Sequence, residues 1–153
     1  MNKEIILMMH PTFGVLAIMA AVWIFVEVIN AGPHNQARIK TAGMVLATLM
    51  WLTYLVGGYW YVTFYGADKS IIKAGPWPFA HTFFMEIKEH LFFALLMIST
   101  YLPIAVSGNQ LVANRGARNL VLMLAGLVVL LGLAMEGSGA IVGLGVKMGL
   151  LGR

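Results

Sequence analysis

Residues 41–65 read TAGMVLATLMWLTYLVGGYWYVTFY, and not one of these side chains is charged. Coiled as an α-helix, the stretch would be about 37 Å long, more than the roughly 30 Å hydrocarbon core of a bilayer. Working outward, the same pattern recurs on both sides. Residues 5–31 are apolar apart from a few polar positions, with His10 and Glu27 the ionisable ones. Residues 83–106 and 120–148 supply two further spans, the third opening on Glu86, Lys88, Glu89 and His90 and the fourth carrying Glu136 and Lys147. Backbone groups in lipid must satisfy one another, so the spans are helices. Short connections make neighbours antiparallel. The expected fold is therefore all-α: an integral membrane, up-down-up-down four-helix bundle forming one domain over residues 1–153.

Composition agrees. Of 153 residues, 60% are hydrophobic and 10% charged, against about 45–50% and 25% in soluble domains. This excludes a water-soluble globule, a disordered tail and a nucleic-acid module. The net charge of +4 comes from scattered basic residues, not a patch. Cysteine is absent, which removes disulfides, thiolate metal sites, iron–sulfur clusters, covalently attached haem and cysteine nucleophiles. The first span is too long for a signal peptide and lacks a small-residue cleavage site. It reads as a retained helix, with an inner-membrane location of the bacterial type expected.

We call the membrane face that carries both chain ends side X and the opposite face side Y. Basic residues fall on both sides and do not decide the orientation. Residues 66–80 contain Gly75-Pro76-Trp77-Pro78, which cannot continue a helix. The whole stretch is expected to be an interfacial loop covering a site that opens on side X. Tyr59, Trp60, Tyr61 and Tyr65 read as an aromatic belt.

Ionisable side chains inside spans are costly and default to functional candidates. His10, His90 and Glu136 fall at a similar depth toward side X, whereas Glu27 lies near side Y. Glu86 and His90 share a helix face that continues through Phe93, Met97 and Tyr101. His81, nine residues before His90, falls on the opposite face and reads as an interfacial residue. Small residues line the other helices: Gly14 and Ala17 after His10, Gly43 to Gly57 and Tyr61 on the second, and Gly132, Gly139 and Gly143 around Glu136. Such stripes allow close helix contact and also clear the volume a flat macrocycle needs. Two histidines on non-adjacent helices suit the axial ligands of a haem iron. Glu86 and Glu136 would serve as hydrogen-bond partners of the ligands or as alternative ligands. Lys88 would meet a propionate.

His10-Pro11 opening a span, Gly57-Gly58 in the next and Lys88-x-His90 at a helix start resemble the small four-helix b-type cytochromes of the cytochrome b561 kind. The resemblance implies an electron-transfer protein holding haem b, with quinone as a possible partner and an oxidoreductase assembly as its setting. That family carries a histidine pair near each face. Here side Y has only His34, so one haem is expected, held by His10 and His90 with Gly14, Gly57, Tyr61 and Lys88 around it. Whether His81 replaces His90 as ligand stays open. Two other classes compete. One is a non-catalytic accessory or assembly subunit of a respiratory or photosynthetic complex, packed against other membrane subunits. The other is a metal-site or proton-coupled membrane protein using His10, Glu86, His90 and Glu136.

Overall fold

The computed structural model describes residues 3–152 and is helical throughout, without a strand among them. Helix α1 spans Lys3–Ile29 and α2 spans Gln36–Ala74. A π-helical turn, Ala80–Met85, leads into α3 at Glu86–Ser107, and α4 spans Arg115–Leu151. All four helical segments are long and apolar enough to cross a membrane. The lateral surface fits a lipid setting, with Met19, Leu55, Val62, Met97 and Leu130 all exposed.

Side-chain and glycine contacts confirm the antiparallel order. Gly14 of α1 meets Glu136 of α4, and Gly132 of α4 receives Ile18 of α1. Trp51 Nε1 on α2 donates to Thr100 Oγ1 on α3 at 3.1 Å. Helices α1 and α3 share no contact and occupy opposite corners of the bundle, while α2 and α4 meet across the other diagonal.

The irregular connection on side X is much shorter than the expected 66–80. Helix α2 continues to Ala74, leaving only the segment around Gly75-Pro76-Trp77-Pro78 outside regular structure. No proline stands between Pro33 and Pro76 to stop the helix earlier. Tyr65 and Ile72 are buried on its inner face against α4 and the π-turn. Contact with α4 is close because glycine faces glycine: a Cβ on Gly75 would come within 2.7 Å of the Gly149 Cα. Ile72 and Ala80 press on bare Gly145 in the same way. Helix α2 has 39 residues and α4 has 37. Both therefore exceed a hydrocarbon core by about 20 Å or more.

The side Y half is filled by Ile24, Val28, Ile39, Leu46, Leu102, Val121 and Val128, all fully buried. Pro103 of α3 fits against the bare Cα of Gly43. Asn35 closes the α1–α2 turn. It accepts from the Gly32 N–H at 2.9 Å and donates to the Glu27 carboxylate at 2.8 Å. Arg38 adds an ion pair to Glu27 at 3.0 Å. The Asn114 carbonyl oxygen of the side chain accepts from the Ala117 N–H at 3.0 Å and caps α4, as a helix N-terminus requires.

Candidate functional site

The side X half of the bundle has a polar interior. Each helix contributes to one level of it. From α1, His10 turns inward and its Nδ1 lies 3.0 Å from the Thr53 carbonyl of α2. A carbonyl can only accept, so Nδ1 carries the proton and Nε2 keeps a lone pair in the neutral ring. The imidazole rests on Gly57, where any Cβ would collide with it. From α4, the Glu136 carboxylate packs on the bare Cα of Gly14, with the Thr53 methyl alongside. From α3, the Lys88 ammonium reaches Gly139 of α4, where a Cβ would stand 2.9 Å from Nζ. Lys88 acts electrostatically on both His10 and Glu136.

Glycines thus serve the site directly. Gly14, Gly57 and Gly139 each leave room for an ionisable group of a neighbouring helix. The ion pairs within 4 Å among the described residues are Lys3–Asp68, Arg38–Glu27 and His81–Glu86. Lys88 and Glu136 face each other from beyond that distance, so their charges are not spent in a closed salt bridge.

A second polar group lies toward the side X end of the same helices. His81 is 3% exposed and Tyr65 2%. The Tyr65 hydroxyl and His81 Nδ1 are 3.0 Å apart, and His81 Nε2 lies 3.6 Å from Glu86 Oε1. Tyr61 stacks on Tyr65 with ring centroids 5.1 Å apart, and its hydroxyl faces the Glu89 carboxylate. Glu89 Oε1 and Trp60 Nε1 are buried without a hydrogen-bond partner in the protein. Buried polar atoms of this kind are met by ordered water.

Of the residues singled out from sequence, His10, Gly14, Gly57, Lys88 and Glu136 are brought together. Tyr61 lies about one helical turn from Gly57. Glu86 is half-exposed and belongs to the second group. His90 is not at the site: it is exposed on the outer surface of α3, its Nδ1 2.6 Å from the Glu86 carbonyl of its own helix. Phe93, Met97 and Tyr101 on the same face are exposed with it. The shared face was read correctly, but it points away from the bundle axis.

A haem held between His10 and His90 of one chain does not fit this arrangement. The two histidines stand on helices at opposite corners of the bundle, His10 packed on Gly57 inside it and His90 exposed on its surface. Nor do His10, Glu86, His90 and Glu136 form a metal centre: no group of three or more ligating side chains converges among the described residues. His81, expected at the interface, is buried, and so is Tyr65, assigned to the aromatic belt. Tyr59 is exposed as that belt requires. His81 faces inward, opposite the outward-facing His90, and Gly145 lets Ala80 approach α4 where the π-turn leads into α3. π-turns of this kind recur at functional positions.

No family model, curated protein or solved structure matches the chain.

Proposed function

We propose that this chain is a proton-handling membrane subunit, built to work within a larger membrane assembly. The carrying observation is the convergence of His10, Lys88 and Glu136 from three helices on one level of the side X half of the bundle. Helix packing alone needs none of these groups, and each is costly at membrane depth. Together they supply a lone pair on His10 Nε2, a carboxyl group and an ammonium. A proton can be exchanged among such groups with little motion, since the glycines hold them close while no short ion pair locks them. Outside the bundle, His90 is a polar side chain on the exposed face of α3 shared with Phe93, Met97 and Tyr101. That face supports contact with a partner subunit, because lipid would leave the second ring nitrogen of His90 unsatisfied.

The test is infrared spectroscopy of the purified full-length protein in bilayers. A carboxyl stretching band should respond to pH somewhere in the range from the reference carboxylate to the reference lysine value. It should vanish in Glu136→Gln and shift its titration in Lys88→Met. A Glu136 carboxyl that stays silent over that whole range would sink the reading.

A further inference from the structure

We propose that Glu86, His81 and Tyr65 form the inlet through which protons pass from side X to the Glu136 cluster. The inference rests on the proton-handling reading above and names its route. The chain of groups begins in contact with solvent or headgroups: the Glu86 side chain is 49% exposed, while that of His81, 3.6 Å away, is almost wholly buried. The next link is the 3.0 Å contact from His81 Nδ1 to the Tyr65 hydroxyl. Tyr65 then faces Tyr61 and Glu89, and Tyr61 stands about one helical turn from Gly57, on which the His10 imidazole of the cluster rests. The buried, unpartnered Oε1 of Glu89 and Nε1 of Trp60 are the kind of atoms that water joins into a hydrogen-bonded chain.

An imidazole bridging two oxygen groups is suited to relay. Glu86 delivers a proton to Nε2 while Nδ1 releases one to the Tyr65 oxygen. The Tyr65 hydroxyl in turn passes its own proton inward, through water, toward Glu89. One proton has entered and one has left at each group, so His81 and Tyr65 keep their charges. Return of the ring to its first tautomer resets the path. The charged groups that face His81 are Lys69 and Lys73 from α2 and Glu86 and Glu89 from α3. The part of α4 packed there offers Val142 and Gly145, with no charge. The site is therefore a narrow polar track in an apolar wall, and a structural role alone would be met as well by an apolar pair.

Deuterium exchange of the Glu136 carboxyl, followed by infrared spectroscopy on the full chain in bilayers, tests the route. Tyr65→Phe keeps the aromatic stacking and removes only the hydroxyl. It should slow exchange about a hundredfold, the scale of losing a positioned proton-transfer group. His81→Gln and Glu86→Gln should slow it too, while His34→Ala on side Y leaves it unchanged. Should His81→Gln fail to fold, Tyr65→Phe decides alone. Wild-type exchange rates in folded Tyr65→Phe would overturn the inlet and leave the cluster standing. A wild-type protein with no titrating Glu136 band would overturn both.

Discussion

The two halves of this bundle use the same four helices and solve the packing problem differently. On side Y the interior is largely aliphatic, with Ser99 its buried hydroxyl, and the α1–α2 turn is closed by Asn35, Glu27 and Arg38, which satisfy one another. On side X the interior holds His10, Lys88, Glu136, Tyr65, His81 and Glu89, and the backbones are drawn together at glycines. In lipid the transfer of apolar surface from water no longer separates core from exterior, so close contact and polar pairing decide where helices touch. The side Y half is held chiefly by aliphatic side-chain packing. The side X half combines tight backbone contact with polar groups that packing does not require, which is why we place function there.

The largest expected effect comes from breaking the glycine contact at the side X end. A side chain on Gly149 meets the Ile71 carbonyl, which is backbone and cannot swing aside. Gly149→Leu should cost about 3 kcal/mol or more, at the upper end of overpacking effects. Gly143→Leu on the same helix is the control, since nothing lies within 4 Å of its Cβ position. Unfolding by denaturing detergent in mixed micelles measures both. Equal stabilities for the two variants would show that the side X half does not depend on backbone contact, and would erase the distinction drawn above.

Much of this fold was legible in the sequence, because long apolar runs specify helices long and apolar enough to cross a membrane. The inward stripes of α1, α2 and α4 were legible too, since Gly14, Ala17, Gly43, Gly57 and Gly132 mark close approach. The direction of α3 was not. Its periodicity correctly grouped Glu86, His90, Phe93, Met97 and Tyr101, yet periodicity says which residues share a face and not where the face points. In a soluble helix polarity would settle this, but in lipid both faces are apolar. The usable clue was Ser99, fully buried, which lies in phase with Lys88, Leu95 and Leu102 and marks the inner side. The burial of His81 had a clue in its place opposite His90, but that clue is useless until the direction of α3 is known. The extent of α2 was misjudged because the break at Gly75-Pro76-Trp77-Pro78 was carried back to residue 66. A helix that overhangs the hydrocarbon core carries charge on one side and Tyr65 and Ile72 on the other.

The side Y half should respond to a different kind of damage. Leu102 is fully buried among aliphatic neighbours. Leu102→Ala removes those contacts and leaves a cavity, while the membrane supplies little transfer term to add to the loss. A destabilisation of about 2 kcal/mol is expected, with the Glu136 infrared band unmoved because the site lies in the other half. If Leu102→Ala altered that band as strongly as Lys88→Met, the halves would be one mechanical unit and the comparison would have to be withdrawn.

The smallest effect sharpens the comparison at the side Y turn. Asn114 caps α4 with a single side-chain hydrogen bond to the Ala117 N–H. Asn114→Ala should cost about 1 kcal/mol, detectable as a small, uniform loss in the same detergent titration. The loss should be local: amide exchange should rise at the first turn of α4 and stay unchanged around Gly139 and Gly149. The reason is physical. Leu111, buried in the aliphatic core, anchors the turn independently of the cap, so fraying ends within about one turn. Exchange that rises along the whole of α4 would mean that the cap sets the position of the helix. Glu136 would then depend on a turn at the far end of the bundle, and the two halves would differ in composition without differing in independence.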